Sequence, residues 1–200
     1  MLKYKIILAS KSKRRSKILK ECGIPHEVVV SNVHEEMDHE KGAKFNVLHN
    51  ARGKAEKIAV GYKEGYIIGA DTLVLLKKSL IGKPNTRKEA IALLKTFSGK
   101  TIFVYTGLCV IDAKRGRSES AIDVSKVHVK KLSPKKIDEF ATVAGHNDKA
   151  GGFSIEGPGA FIFDNIEGSF YNVLGLSMMK LDELFKKLGV DLLGEVIGKK

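Results

Sequence analysis

The chain has 200 residues, 43% of them hydrophobic, and a formal net charge of +12. That length fits one domain, or one domain with two lobes, and the apolar share supplies a real core. No apolar run approaches the ~20 residues that span a bilayer, and the start lacks a long apolar stretch or a small-residue cleavage site, so neither a membrane partner nor a signal peptide is expected. Cys22 and Cys109 lie far apart without C-x-x-C spacing. That suits two ordinary core thiols in a reducing cytoplasm. Eight basic and no acidic residues fall in positions 1–20, leaving a net +4 for the other 180. Charge this local suits a pocket for a polyanion better than a groove for nucleic acid, so no stable nucleic-acid partner is expected.

The run Ile6-Ile7-Leu8-Ala9 reads as a short buried strand. Ser10 or Ser12 then serves as a helix N-cap. Lys13, Arg14, Arg15 and Lys17 fall in or near the first turn, where cations oppose the macrodipole at roughly 0.3–1 kcal/mol each. Free N–H groups at the same end attract anions, so the segment reads as a phosphate clamp or, in the plainer alternative, a solvated basic face. Gly23 and Pro25 end this helix. A second strand is predicted at 26–31, followed by the acidic stretch around Glu35, Glu36 and Asp38.

Residues 41–60 have helical spacing of Phe45, Leu48, Ala51, Ala55 and Ile58. A strongly apolar strand at 66–76 is interrupted by Gly69 and Asp71. Thr86 and Glu89 fit a capping box opening a helix that ends at Phe97. Strands at 101–111 and 118–129 pair as a hairpin. Ser133-Pro134 opens another helix with Pro at its first position. A loop with four glycines spans 150–159, a strand is predicted at 160–166 and a closing helix at 177–188. The mixture implies an α/β fold on a mixed sheet. It is organised as one domain over residues 1–188, with a tail or cap over 189–200.

Several polar residues break the local pattern. Asp71 sits where a buried strand wants Val or Ile. An unpaired carboxylate there is costly, so it needs a metal, a cation or water. At the C-terminal end of a strand it would face the usual ligand crevice, unless it merely caps a turn. Lys83 in Gly82-Lys83-Pro84 is a lysine on a stiff loop, suited to a phosphate. Arg52 and Lys54, taken alone, read as a solvated helix face. The six histidines show no metal or triad spacing.

Together these pieces resemble the Maf family of nucleoside triphosphate pyrophosphatases. The resemblance rests on Leu8-Ala9-Ser10-Lys11-Ser12-Lys13-Arg14-Arg15, Gly69-Ala70-Asp71-Thr72, Gly82-Lys83-Pro84, Ser98-Gly99-Lys100, Asp148-Lys149-Ala150-Gly151 through Glu156-Gly157, and Gly168-Ser169 to Gly175-Leu176. They occur in family order over roughly residues 5–185. The resemblance implies an elongated α/β/α domain whose two lobes flank a cleft, similar to the inosine triphosphate pyrophosphatase architecture. It implies cleavage of the α–β phosphoanhydride of a nucleoside triphosphate, giving monophosphate and pyrophosphate, and a homodimer.

Residue by residue, the resemblance makes Asp71, Lys54 and Lys83 catalytic. It places Ser10, Ser12, Arg14, Arg15, Thr72 and Glu156 on the substrate. Its metal residue maps to Glu35, with Glu36 one position away. Glu35 and Asp71 are hard oxygen donors, which suits a divalent metal cation, Mg²⁺ or Mn²⁺. Asp71 also suits orientation or deprotonation of the attacking water.

Two positions depart from the family pattern. Lys13 stands where Pro is usual. Glu156 stands where the branch resembling dTTP and UTP pyrophosphatases has Gln, although Arg14 and Thr72 match that branch. A carboxylate only accepts hydrogen bonds, so Glu156 by itself suits guanine's adjacent donors better than uracil, and the mixed pattern implies dTTP/UTP-type or relaxed selectivity that extends to modified nucleotides. Two other readings compete: an inosine/xanthosine triphosphate pyrophosphatase, and a non-enzymatic nucleic-acid-binding regulator of cell division.

Overall fold

Strand β1 (Ile6–Leu8) is completely buried, and helix α1 (Lys13–Glu21) follows it. This computed structural model describes residues 4–144 and 150–198. The remaining elements are β2 (Glu27–Val28), α2 (Gly42–Ala59), β3 (Tyr66–Leu76), β4 (Ser79–Ile81), α3 (Arg87–Phe97), β5 (Thr101–Asp112), β6 (Arg117–Val129), α4 (Pro134–Ala144), β7 (Phe163–Glu167), α5 (Phe170–Leu174), α6 (Met178–Lys187) and α7 (Leu192–Ile197). The strands form one sheet in the order β2-β1-β3-β5-β6-β7. β1 is parallel to β2 and β3, while the β3, β5, β6 and β7 neighbours are antiparallel. This is the mixed α/β sheet that the alternation of elements implies.

Most elements form where the local chemistry calls for them. Thr86 accepts from the Glu89 N–H, and the Glu89 carboxylate accepts from the Asn85 N–H, one residue earlier than a standard capping box. Three expectations need correction. The second strand is only Glu27–Val28, at the sheet edge. Val28 and Val30 are both exposed and Val29 is only partly buried beside Ile7, so extending it adds little apolar burial. The strand expected at 160–166 begins only at Phe163. Pro158 starts a 3₁₀ turn over Gly157–Ile162 that uses up its first residues. Ser12 occupies the N-cap of α1, but its side chain makes no capping bond.

Helix α2 covers one face of the sheet, over Ile7, Ile67, Cys109 and Ile111. The larger core lies on the other face, where α1, α3 and α6 supply Ile18, Leu19, Leu94, Phe97, Leu181 and Phe185. The α2 contact is unusually close because two glycines underlie it. A Cβ on Gly69 would lie 2.1 Å from the Ala51 carbonyl oxygen, and one on Gly107 would lie 2.2 Å from that of Val47. The helix backbone thus rests directly on the strands. Residues 192–197 form α7, whose Leu192 joins the core.

Gly69→Ala or Gly107→Ala should therefore lift α2 off the sheet and destabilise the fold by roughly 3 kcal/mol or more, at the upper end of overpacking. Gly61→Ala should stay within about 0.5 kcal/mol, since the nearest atom to its Cβ would be 3.6 Å away. Urea unfolding of the three variants tests this. Similar losses at all three positions would show that the close approach does not matter.

Candidate active site

Strand β3 has different neighbours along one edge. β1 pairs with Tyr66–Ile68 and β4 with Val74–Leu76, while β5 pairs along the other edge throughout. Between β1 and β4 the edge is open at residues 69–73. The Ile68 carbonyl accepts from the Ala9 N–H, the last bond that β1 supplies to β3. Two residues on, the Ala70 carbonyl points the same way with no strand beside it. A buried carbonyl must find donors. It receives Arg15 Nη1 at 2.9 Å and Lys54 Nζ at 3.2 Å.

Arg15 is only 8% exposed. Its other donors reach Gly175 O at 2.7 Å, Ser10 Oγ at 3.2 Å and Thr72 Oγ1 at 3.0 Å. The guanidinium thereby ties the start of α1 to β3 and to the C-terminal end of α5. Thr72 is held from its other side by Thr106 Oγ1 at 3.0 Å.

The second surprise is the face that α2 buries. Phe45 is exposed and Leu48 and Ile58 are only partly covered, whereas Asn46, Asn50 and Lys54 are buried with Ala51 and Ala55. The apolar periodicity places the helix correctly but misjudges its orientation. Asn46 accepts from the Asp38 N–H and donates to the Asp38 carbonyl, and Asn50 does the same for Glu36. Two side-chain amides thus hold the loop as a neighbouring strand would. Glu35, just before it, is aimed at the cleft, and Glu36 turns outward to His49 at 3.6 Å.

Lys54 connects the two acids. Its ammonium lies 2.8 Å from Asp71 Oδ1 and 2.9 Å from Glu35 Oε1. Asn50 Nδ2 donates to the other Asp71 oxygen at 3.0 Å. Asp71 is therefore neither a turn cap nor at the end of its strand. It lies within β3, opposite Gly107, just past the level where β1 stops. Burial pushes the Glu35 carboxyl up, but the charges of Lys54, Lys83 and Arg15 outweigh that and hold it below its ordinary range.

Around this centre lie neighbouring cavities that share lining residues. A wide mouth of about 690 Å³ is lined by Lys11, Glu35, Lys83 and Pro84. Two narrow chambers of about 50 and 40 Å³ follow, both touching Ser12, Arg15, Glu35 and Lys83, the second also Asp71, Thr72 and Arg14. Arg14 leads into a last cavity of about 270 Å³ that contains Glu156. The structure thus brings Ser10, Ser12, Arg14, Arg15, Glu35, Lys54, Asp71, Thr72, Lys83 and Glu156 to one cleft. Gly151 N–H donates to the Gly82 carbonyl, tying the glycine loop to the Lys83 loop. Asp148 and Lys149 of that motif lie outside the described residues.

Asn46 and Asn50 are the buried polar residues beside the cluster that motif reading passed over. Their one signal was polar residues at helical spacing, which solvent-facing helices also show. Among the described residues no group of three or more His, Cys, Asp and Glu side chains is placed to hold a metal.

The family model described as Maf-like protein matches residues 5–188. The chain belongs to the Maf-like family. A dTTP/UTP pyrophosphatase of Caldicellulosiruptor bescii is 38% identical over 193 residues, covering 94% of this chain and 97% of that protein. One from Dictyoglomus thermophilum is 37% identical over 193 residues, covering 96% and 100%. Of the solved structures, the Staphylococcus aureus Ham1 protein aligns with 62% of this chain and 71% of its own at a TM-score of 0.42 and 12% identity.

In this Maf-like chain the Lys54–Asp71 pair is deeply buried, with both side chains 6% exposed. Lys54→Met would leave a buried carboxylate without its cation, a loss of about 3–5 kcal/mol at pH 7. A carboxylate with a depressed folded pKa contributes stability that is full above its unfolded pKa, near 4.3 for Glu, and is lost as pH falls through the folded value. Glu35 owes its depression largely to Lys54, so the gap between wild type and Lys54→Met should narrow in acid. Urea unfolding at pH 7 and at about pH 4 measures both gaps. An equally wide gap in acid would assign the loss to packing.

Proposed function

We propose that this chain hydrolyses a pyrimidine nucleoside triphosphate of the dTTP/UTP type at the α–β phosphoanhydride, releasing the monophosphate and pyrophosphate. The observation that carries this reading is the Glu35–Lys54–Asp71 cluster, in a cleft that continues past Lys83 at one end and to Arg14 at the other. The relatives named dTTP/UTP pyrophosphatase support the substrate class.

Two acids converging on one ammonium form a cation-holding arrangement of hard oxygens, and the donor set fits a Mg²⁺ or Mn²⁺ ion completed by phosphate oxygens. Glu35 and Asp71 would hold it, and when bound it would neutralise phosphate charge. Asp71 orients the attacking water and takes its proton, from a position fixed by Asn50 and Lys54. Lys83 lines the cleft where the triphosphate would lie and offsets charge that moves onto the leaving pyrophosphate, while Arg14, beside Glu156, lies at the other end of the substrate. Ser12 presents its hydroxyl at the start of α1. Arg15 and Ser10 act from beneath, since their bonds above hold the site's walls together. Thr72, gripped by Arg15 and Thr106, shapes the wall beside the substrate.

Incubation of UTP, dTTP, GTP and ITP with Mg²⁺ or Mn²⁺, followed by product separation, tests the reaction. Monophosphate and pyrophosphate are expected, with UTP and dTTP preferred. Orthophosphate and a diphosphate as primary products would assign the wrong bond, and preference for ITP would favour the inosine/xanthosine reading. Asp71→Asn should lower kcat by at least ~10²-fold, the range of general-base catalysis. It should remain folded, because Lys54 still holds Glu35. Near-normal turnover by this variant would remove Asp71 from the chemistry.

A further inference from the structure

The cavity beyond Arg14 has an apolar side formed by Phe140, Val143 and Pro158 and a charged side formed by Arg14, Lys17 and Glu156. Its volume of about 270 Å³ is near the lower end of the ~300–1,000 Å³ typical of small-molecule sites. Each oxygen of Glu156 faces a different cation. Arg14 Nε is 3.8 Å from Oε2, and Lys17 Nζ is 3.6 Å from Oε1. Lys17 lies equally far, 3.6 Å, from Glu21 Oε1. These are ion-pair distances, longer than hydrogen bonds. Lys17 is 61% exposed at the cavity's rim, so its ammonium can turn between the two acids and a ligand.

We infer that Lys17 is a specificity-determining residue that makes the Glu156 pocket select uracil or thymine, an inference that rests on the hydrolase reading above. The reason is a matter of donors and acceptors. The pairing edge of uracil presents acceptor, donor, acceptor. A lone carboxylate satisfies the central N–H and leaves both carbonyls without donors. With a cation on each oxygen, Arg14, Glu156 and Lys17 present donor, acceptor, donor. Guanine's edge presents acceptor, donor, donor, so one cation would face an amino group. A polar group left without its partner is what makes such discrimination, to a degree limited here by the exposure of Lys17 at the rim. Lys17 thus supplies the donor that a Gln amide would carry in its own side chain. The preference for guanine expected of Glu156 by itself would thereby shift toward uracil.

The experiment compares Lys17→Met, Lys17→Arg and Lys17→Met/Glu156→Gln with the wild type. It reads kcat/KM for UTP and GTP and the dissociation constants of UMP and GMP by calorimetry. Lys17→Met should lower the UTP-to-GTP ratio by about tenfold, through KM for UTP with little change in kcat. Lys17→Arg should retain the wild-type ratio, and Glu156→Gln should restore most of the ratio lost in Lys17→Met. An unchanged ratio in Lys17→Met would overturn the inference. An equal fall for both nucleotides would do so as well, since Lys17 would then attract triphosphate without reading the base. If the wild type releases no pyrophosphate from any nucleotide, the hydrolase reading fails. The UMP and GMP constants then still decide whether Lys17 discriminates, with a lower UMP preference in Lys17→Met supporting it and an unchanged one refuting it.

Discussion

A backbone carbonyl in the middle of a sheet must be paired, and β1 is too short to pair the one at Ala70. This shortfall organises the site. In a complete sheet the position would be filled by another strand's N–H groups and closed to ligands. Here the donors come from two side chains, Arg15 from α1 and Lys54 from α2. Both are cations, so satisfying one polar group brings two positive charges to an opening in the sheet. The positive charge then makes buried acids tolerable. Asp71 is 4% exposed and would be expensive alone, but it lies against an ammonium and an amide.

The glycines of β3 and β5 determine whether α2 can take part. A helix held at the usual distance by side chains would leave Lys54 short of Asp71. Gly69 and Gly107 remove the intervening Cβ atoms, so the helix axis drops and its polar side becomes the inner one. The two asparagines then hold the 36–38 segment and fix Glu35 in advance. An arrangement whose charges are already oriented needs little rearrangement when substrate charge develops, which is the main advantage of a preorganised polar site. The same features carry a stability cost, since a helix with Asn, Asn and Lys inward gives up apolar burial.

Much of this was legible in the residues, for reasons that can be named. Asp71 stood out because a carboxylate inside Ile67 to Val74 violates the strand pattern. Thr86 with Glu89, and the hairpin around Gly116, were readable because their chemistry is local. Legibility ended where a residue's partner was distant. The inward face of α2 was misjudged because apolar spacing cannot register buried amides whose partners lie at Asp38, Glu36 and Asp71. The Arg14-Arg15 pair looked like one clamp, yet Arg15 is held by Gly175 and Ala70 at the chamber wall, while Arg14 reaches toward Glu156. Only the positions of Gly175 and Ala70 distinguish them. β7 began late because a 3₁₀ turn after Pro158 competed with an apolar stretch that fits either state.

The bond from Arg15 to the Gly175 carbonyl spans 160 residues. During synthesis from the N-terminus, α1 emerges early, while the acceptor that completes Arg15's set is made near the end. At ~5–20 residues per second that interval is roughly 8 to 32 seconds. Throughout it, a strongly cationic N-terminal segment is exposed without the partner that seats it. The wall of the cleft is therefore incomplete until α5 docks against the first helix, and a chain truncated before residue 175 keeps its cations but lacks the carbonyl that Arg15 Nε binds.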